Sequence, residues 1–434
     1  MPARSIMWFR RDLRLRDNPA LTAACAEGEV LPVFVVDPAF ESAGAPRRAM
    51  LHDCLTALHE ATGGTLVLRH GDPVDEIPVL ADEIDATTVY VTKDFAPYGR
   101  QRDEAVADAL RGAGRKLRGV SSPYAVEPGT VTKGDGGSYV VYTPFSRTWR
   151  AVGWDDPIRA PRDPDWIDVP ELSDGFFERP ELDFELPSAT EDAVTSRWRR
   201  FRDGPLDEYD DRRDFPAVDG TSRMSPFLKF GVVHPRQLLA ETDARNPDHK
   251  TYQSELAWRD FYADVLFHRP RTAWQNYDER FDDIRHDTGP SANDNFERWA
   301  TGTTGFPIVD AGMRQLVRTG WMHNRLRMLT ASFLVKDLHL PWWWGAKFFL
   351  HHLIDGDLAS NNHGWQWAAG TGTDAAPFFR VFSPDRQQER FDPDGEFVAE
   401  WIPELGTDDY PDRMVDHKAE RQEALDRYSE IKSR

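Results

Sequence analysis

The chain has 434 residues, 40% of them apolar, and its 73 acidic and 53 basic side chains give a formal net charge of −20. This length allows two or three domains around a large core, while the charge argues against a surface that is basic overall and binds nucleic acid generally. Lysine occurs only nine times, which suggests a halophilic protein from a very salty cytosol. At about 1 M salt the screening length falls to roughly 3 Å, so a local basic groove can still bind a polyanion.

Cysteine usage and hydropathy exclude two further classes. Cys25 and Cys54 have no ligand-like spacing, so neither a metal site nor a disulfide framework is expected. No run of about 18 apolar residues occurs, and the apolar stretch at the N-terminus is too short for a signal peptide. We therefore expect a cytoplasmic protein that holds no metal and does not enter a membrane.

Residues 1–130 alternate strand-like and helical patterns. The predicted strands are SIMWF (5–9), LPVFVV (31–36), TLVLRHG (65–71) and ATTVYVT (86–92). The predicted helices between them are Pro19–Glu27, Arg47–Thr62, Val74–Ile84 and Gly99–Gly112. This alternation indicates an α/β domain with a doubly wound parallel sheet. No GxGxxG follows a strand, so the dinucleotide-binding fingerprint is absent.

Residues 131–190 are rich in proline and acid and only weakly periodic, which predicts an interdomain linker that crosses the surface. From residue 191 to 434 the pattern is helical without convincing strands. The clearest predicted helices are Tyr252–Phe267, Ile308–Thr319, Arg325–Lys336 and Lys347–Ile354. The sequence therefore predicts an α/β domain, a linker and an all-α domain.

Three segments of the helical part carry residues suited to chemistry. In GTSRMSPFLKFG (220–231), small polar residues precede a proline; such a helix start can hold a phosphate or be an ordinary cap. In ELAWRDFY (255–262), Glu255, Trp258 and Arg259 share one helical face, which suits a planar polar ligand or an exposed salt bridge. In GWMHNRLRMLTASF (320–333), Asn324 and Met328 share a face.

The segment DGDLASNNHGWQW (355–367) combines acids, amides and two tryptophans. Asn361 and Trp365 are four residues apart and share a helical face, whereas Trp367 points elsewhere. Together with MWFRRDLRLRDNPAL (7–21), TGFPIVDAGMRQLVRTGWMHNRLRMLTASFLVKDL (304–338) and AAGTGTDAAPFFR (368–380), these segments resemble the DNA photolyase/cryptochrome family over essentially the whole chain. Within that family the chain is most similar to class I cyclobutane pyrimidine dimer photolyases.

The resemblance implies that the helical domain binds FAD, which is reduced and anionic in the active form. The implied FAD-binding residues are Tyr209, Thr221, Ser222, Arg223, Met224, Ser225, Tyr252, Glu255, Arg259, Asn324, Arg325, Asp355, Gly356, Asp357 and Asn361. Asn361 is expected to face flavin N5, where an amide can either donate or accept a hydrogen bond.

The resemblance also implies light-driven repair of UV-damaged DNA. Reduced FAD passes an electron to a flipped-out cyclobutane pyrimidine dimer, which splits into two pyrimidines. The implied catalytic residues are Glu255, Trp258, Asn324, Met328, Asn361 and Trp367, and the implied DNA contacts are Arg213, Trp258, Arg325, Trp367 and Arg380. Trp258 and Trp367 form two apolar walls, and stacking contributes ~1–3 kcal/mol per base. Asn324 and Met328 stand where (6–4) photolyases carry histidines, which favours the cyclobutane dimer.

By the same resemblance, Trp365 and Trp342 carry electrons to the flavin during photoactivation. The family pattern expects a third tryptophan near His286, which the sequence lacks there. Trp343, Trp344 and Trp274 are alternative candidates for this distal position.

The α/β domain resembles members that bind an antenna chromophore, here 8-hydroxy-5-deazaflavin. The candidates in VVDP (35–38), in DFAPYGRQRD (94–103) and beyond are Val36, Asp37, Asp94, Arg102 and Lys229. Methenyltetrahydrofolate is the second candidate chromophore, and an empty or flavin-filled pocket also stays open.

A cryptochrome-like blue-light sensor without repair activity is the alternative function. The sequence keeps the residues expected around the lesion and ends about thirty residues after IPELG (402–406), both of which favour repair. A third possible function, that of a dark flavin oxidoreductase, is disfavoured because the sequence contains no nicotinamide-binding motif. We expect a monomer.

Overall fold

A parallel sheet forms the core of the N-terminal part. The computed structural model describes residues 3–375, 377 and 380–432; of residue 432 it describes only the backbone. The strands are β1 (Ala3–Phe9), β2 (Gly28–Val36), β3 (Val67–His70), β4 (Thr88–Val91) and β5 (Lys116–Gly119), in the order β3-β2-β1-β4-β5. The four predicted strands are confirmed. The sequence analysis missed β5, a short edge strand whose KLRG sequence is mostly exposed.

Helices cover both faces of this sheet, which confirms the doubly wound arrangement. They are α1 (Pro19–Cys25), α2 (Ala45–Ala61), α3 (Pro73–Glu83) and α4 (Pro97–Gly112). Side chains of a strand alternate between the two faces. Accordingly, Ile6 and Trp8 pack in a cluster with residues of α3 and α4, whereas Met7 and Phe9 pack with residues of α1 and α2.

The predicted linker contains a helix that the sequence analysis missed, α5 (Tyr142–Val152). Its buried Phe145 and Trp149 pack against the helical domain, and Trp149 Nε1 donates a 2.9 Å hydrogen bond to Asp260 Oδ2. Later linker residues follow the sheet, where the Ile167 amide donates to the Val30 carbonyl at 2.9 Å. The prediction that residues 131–190 form a linker across the surface therefore holds only in part, because α5 packs into the core of the helical domain.

The remaining described residues form helices, and none of them adds a strand to the sheet. These helices are α6 (Glu191–Arg202), α7 (Tyr209–Arg212), α8 (Ser225–Phe230), α9 (Pro235–Ala240), α10 (Pro247–His268), α11 (Pro290–Thr301), α12 (Pro307–Thr319), α13 (Asn324–Lys336), α14 (Trp342–His352), α15 (Leu358–Ala369), α16 (Pro384–Phe391), α17 (Glu396–Trp401) and α18 (His417–Lys432). The prediction Lys347–Ile354 was wrong in its bounds, because α14 begins directly after Pro341 and includes the tryptophan run. In the described part of the chain, no helix combines the length and apolarity needed to cross a membrane.

The two domains meet along the loop that follows β1. The Leu13 amide donates to the Phe230 carbonyl at 3.2 Å, and Arg14 Nη1 donates to the Gly231 carbonyl at 2.9 Å. Gly231 has a φ of 72°, and a Cβ there would lie 1.9 Å from the Arg11 carbonyl oxygen. Only glycine combines this backbone conformation with such a close approach. The seam lies directly beside a large cavity of the helical domain, whose wall includes Leu228 and Lys229.

Candidate functional site

A large cavity opens between α8, α10, α13 and α15. Its volume is about 720 Å³, within the roughly 300–1,000 Å³ range of small-molecule and cofactor sites. All fifteen residues that the resemblance assigns to FAD line it, as do Trp258, Met328, Trp365 and Trp367. Six basic and five acidic side chains contribute to the wall, so the cavity is nearly neutral inside a strongly acidic chain.

Asp355 organises one wall of the cavity. Its buried carboxylate accepts a 2.6 Å hydrogen bond from Ser225 Oγ and pairs with Arg327 through two contacts of 2.8 and 3.2 Å. A two-pronged arginine–carboxylate pair fixes orientation as well as charge. The sequence analysis gave Arg327 no role. The spacing within one helix cannot reveal a partner that lies 28 residues away.

Asp357 joins the cavity to the α/β domain. It caps α15 by accepting from the Ser360 amide at 3.1 Å, pairs with Arg11 at 2.7 Å and lies 3.7 Å from Lys229 Nζ. Burial alone would raise the pKa of Asp357, but the charges of Arg11 and Lys229 hold it well below its ordinary value. Burial and the charge of Arg11 lower the pKa of Lys229 to about 7.

The antenna role of Lys229 stays a prediction, since its ammonium interacts with Asp94 as well as with Asp357. Lys229 lies in the last turn of α8 and lines the large cavity. The other antenna candidates lie at the carboxyl edge of the sheet. Arg11 was missed because its partner lies 346 residues further along the chain.

Two arginines expected at DNA lie inside the cavity, each in an ion pair. Arg213 Nη1 is 2.7 Å from Glu255 Oε1, and Arg325 pairs with Asp214. The charge of Glu255 raises the pKa of Arg213 despite the opposing effect of burial. Their charges are thus compensated within the protein by Glu255 and Asp214.

Arg259 lines the cavity but directs its guanidinium to the backbone. It donates to the carbonyls of Pro123 at 3.0 Å and Leu228 at 3.2 Å, and lies over the ring of Tyr124. Arg259 therefore fastens the segment after β5 to the helical domain. The sequence analysis counted Arg259 among the residues of the FAD site, and the structure places it in the cavity wall.

The Thr221–Ser225 loop lies at one end of the cavity. Ser222 Oγ and the buried Tyr252 hydroxyl are 3.1 Å apart. Arg223 is exposed, has a φ of 50° and lies over the ring of Trp321. Tyr209 packs edge-on against Tyr252. Hydroxyls, backbone amides and an exposed guanidinium at this end suit the phosphates of a nucleotide cofactor.

Aromatic rings line the opposite part. Trp258 is half-buried, and Tyr142 stacks on it with 3.8 Å between ring centroids and 8° between planes. The Tyr142 hydroxyl donates to the Ser254 carbonyl at 2.9 Å, and its amide donates to Asp374 at 3.0 Å. Tyr142 was missed because it lies in the predicted linker. It supports the Trp258 wall from behind.

Helix α15 contributes four side chains to the cavity wall, namely Ser360, Asn361, Trp365 and Trp367. Asn361 lines the cavity, and its Nδ2 donates to the Ala346 carbonyl at 3.1 Å and to Asn362 Oδ1 at 2.8 Å. Trp365 is 2% exposed, and its Nε1 has no hydrogen-bond partner in the described part of the chain. Trp367 is half-buried. The predicted separation of Trp365 and Trp367 on this helix is confirmed, since only Trp365 is fully packed in the core.

Two predicted residues lie elsewhere. Trp342 is buried in α14 outside the cavity wall. Arg380 is exposed outside the cavity, and Lys336 Nζ donates to its carbonyl at 2.8 Å. Ala376, Phe378 and Phe379 of the 368–380 motif lie outside the described residues.

The predicted antenna residues Val36, Asp37, Asp94 and Arg102 lie around the carboxyl edge of the sheet. The Tyr98 hydroxyl donates to Asp37 at 2.5 Å, and Arg102 is 3.4 Å from Asp94. Burial would raise the pKa of Asp94, but three neighbouring arginines lower it. The strand order reverses between β1 and β4, and ligands of doubly wound sheets bind at such a point.

A doubly wound sheet packed on a helical domain, with a cavity that is polar at one end and aromatic at the other, defines a two-domain protein built for a nucleotide cofactor. The family model for the FAD binding domain of DNA photolyase matches residues 252–408, and the model for DNA photolyase matches residues 5–163.

Relatives match over the full length. The deoxyribodipyrimidine photo-lyase of Synechococcus is 37% identical over 100% of this chain and 98% of its own. The crystal structure of a class III photolyase from Agrobacterium tumefaciens has a TM-score of 0.90 at 35% identity, covering 100% of this chain and 98% of its own. An archaeal photolyase structure from Sulfolobus tokodaii has a TM-score of 0.85 at 28% identity, covering 98% of this chain and 100% of its own. The chain belongs to the DNA photolyase family.

Proposed function

We propose that this protein is a deoxyribodipyrimidine photo-lyase, a carbon–carbon lyase that repairs cyclobutane pyrimidine dimers in UV-damaged DNA with blue light. One observation carries the proposal. A single cavity joins the residues suited to FAD with Glu255, Trp258, Asn324, Met328 and Trp367, the residues expected to receive the lesion. Cofactor and lesion therefore meet without a protein wall between them.

The residues of the cavity fit FAD. The Thr221–Ser225 loop offers hydroxyls and the exposed Arg223 to the phosphates. The pair of Arg327 and Asp355 offers fixed polar atoms deeper in the cavity, where Asn361 and the Trp365 ring supply further contacts. When bound, FAD supplies light absorption and the single electron that repair requires.

The protein's own groups hold the lesion. Trp258 and Trp367 give the extruded pyrimidines apolar surfaces, which contribute ~1–3 kcal/mol per stacked base. Arg213 occupies one oxygen of the Glu255 carboxylate at 2.7 Å and leaves the other for a base edge. Met328 and Asn324 close the side on α13.

Repair is favoured over the sensor function because these lesion-side groups are assembled in one place. A sensor has no need of two tryptophans and a carboxylate at the mouth of its flavin cavity. The cyclobutane dimer is favoured as substrate because no histidine lies among the residues that line the cavity. The class I assignment stays a prediction, since the similar Agrobacterium structure is described as class III.

The antenna chromophore is proposed to bind at the edge of the sheet near Asp37 and Arg102. 8-Hydroxy-5-deazaflavin and methenyltetrahydrofolate remain the two candidates. A second flavin is a third, since the Sulfolobus structure is described with two FAD molecules and an implied light-harvesting role. Mass spectrometry of the chromophores released from purified protein identifies the occupant directly.

The test is repair of an oligonucleotide with one thymine dimer by enzyme whose FAD is fully reduced. We expect dimer loss under blue light and none in the dark. Glu255→Gln is expected to lower the repair yield per absorbed photon, whereas Glu297→Gln, an exposed glutamate on α11, serves as the matched control. No light-dependent repair by the wild-type protein would refute the function.

A further inference from the structure

Three consecutive tryptophans, Trp342–Trp344, begin α14, and neither cofactor binding nor lesion binding uses them. Indole is the side chain most easily oxidised by an excited flavin. In a row of closely spaced indoles from the cavity to solvent, each ring can therefore pass an electron inward and replace the one lost by the ring at the cavity. Such a row needs a ring at the cavity, short gaps and an outer ring that meets water.

The inner end is Trp365. Its ring lines the cavity and packs directly on α14, because a Cβ at Gly345 would lie 2.1 Å from the indole. Trp342 lies three positions before Gly345 and so shares that face of α14. The glycine thus brings the Trp365 ring against the helix turn that carries Trp342.

The outer end is Trp343. Its ring is edge-on to Trp342, with 5.9 Å between centroids, and it is half-buried, so it reaches solvent. Trp342 is 2% exposed and donates through Nε1 to Asn276 Oδ1 at 3.0 Å. His286, which occupies the place where the family pattern expects a tryptophan, is edge-on to Trp343 at 5.4 Å. Burial lowers the pKa of His286, so a neutral imidazole adjoins Trp343 at neutral pH.

The competing tryptophans are less suited. Trp274 is 42% exposed, but the ammonium of Lys347 lies 5.7 Å from its ring centroid and opposes a positive charge there. Trp344 packs on Phe296 instead of a tryptophan in the row. Trp299 lies 6.0 Å from Trp365 but is fully buried, so it offers no exit to solvent.

We propose that Trp343 is the solvent-side end of the electron row Trp365–Trp342–Trp343 and replaces the distal tryptophan that is missing at His286. This inference rests on the proposed function, because it assumes bound FAD. After light absorption, Trp365 gives one electron to the oxidised flavin. Trp342 then gives one electron to Trp365, and Trp343 gives one electron to Trp342. Trp343 is then oxidised by one electron and releases its N–H proton to water. An external thiol returns the electron, and water returns the proton.

The test is transient absorption spectroscopy of the FAD-loaded, oxidised protein, with dithiothreitol as the external thiol. Trp343→Phe is expected to lose most of the long-lived tryptophan radical signal and to slow steady-state photoreduction several-fold. Trp344→Phe and Trp274→Phe are the matched controls and are expected to keep both. Flavin content and the flavin absorption spectrum verify that each variant is folded and loaded.

Two results would overturn the inference: a wild-type yield of long-lived radical in Trp343→Phe, or its loss in Trp344→Phe, Trp274→Phe or Trp299→Phe instead. Repair by protein reduced chemically with dithionite separates this inference from the proposed function. Trp343→Phe reduced in this way is expected to repair at the wild-type rate. Absence of repair in the reduced wild-type protein would instead refute the function, whatever the photoreduction shows.

Discussion

Replacing Tyr142 tests whether the segment before the helical domain shapes the lesion site. Tyr142→Leu removes a ring stacked at 3.8 Å behind Trp258 and the hydrogen bond to the Ser254 carbonyl. Tyr142→Phe removes the hydrogen bond alone. Tyr139→Leu is the matched control. Tyr139 lies three residues earlier, shares a 2.7 Å hydrogen bond with Thr148 Oγ1 and is not among the residues that line the cavity.

The expected magnitudes follow from these contacts. An aromatic pair contributes about 0.5–1.5 kcal/mol beyond its buried area, and a typical hydrogen bond about 0.5–1.5 kcal/mol. If the stacking energy fixes the orientation of Trp258, its loss weakens lesion binding by about 2- to 12-fold. Tyr142→Phe should lose stability but keep nearly all lesion affinity, since the stack is retained.

The assay is equilibrium binding of a fluorescent oligonucleotide with and without one thymine dimer, in the dark. We expect the Kd for undamaged DNA divided by the Kd for dimer-containing DNA to fall for Tyr142→Leu. The same ratio should stay unchanged for Tyr142→Phe and Tyr139→Leu. Thermal unfolding reports the stability of each variant separately. Unchanged discrimination by Tyr142→Leu, beside a clear loss in Trp258→Ala, would refute the supporting role.

Three further predictions concern buried contacts. Asp357→Asn leaves the half-buried cations Arg11 and Lys229 without their partner and should cost about 1–3 kcal/mol in chemical denaturation. Because the folded pKa of Asp357 lies well below its ordinary value, this stabilisation is complete above pH ~4, and the difference between wild type and variant should shrink as the pH falls further. Gly345→Ala places a methyl group 2.1 Å from the Trp365 ring and should cost about 1–3 kcal/mol; Gly112→Ala, where the methyl meets nothing within 4 Å, should not destabilise. Arg327→Lys loses the two-pronged pair and should raise the Kd for FAD in a titration of apoprotein, since one ammonium cannot reproduce it.

The fold could be predicted from sequence where a pattern repeats within one element. Apolar runs of β-branched residues gave four strands, and helical periodicity gave most long helices. The edge strand Lys116–Gly119 escaped because its short sequence is mostly exposed and carries little apolar signal. The helix Tyr142–Val152 escaped although its sequence is amphipathic, with the buried Phe145 and Trp149 four residues apart, because it lies within the segment predicted as a linker.

The site was predictable only as a set of positions. The motifs located the cavity wall, since all fifteen assigned residues line one space. They could not show how the charges pair, because the partners of Arg11 and Arg325 lie 346 and 111 residues away. The neighbours of Lys229 in sequence likewise could not show that its ammonium lies 3.7 Å from Asp357.

The pairing changes how this acidic protein can hold an anionic cofactor. Arg213, Arg325 and Arg327 each face a carboxylate at the cavity wall, so a phosphate gains little from them without releasing an acid. Arg223 differs, because it is exposed and lies 3.8 Å from Asp219, which is even more exposed. Exposed pairs contribute only about 0–1 kcal/mol, so this guanidinium is the one most easily transferred to a phosphate. Under the proposed function, the partly buried pairs therefore stiffen the cavity wall, and Arg223 in the loop beside Thr221 supplies the guanidinium for the cofactor phosphates.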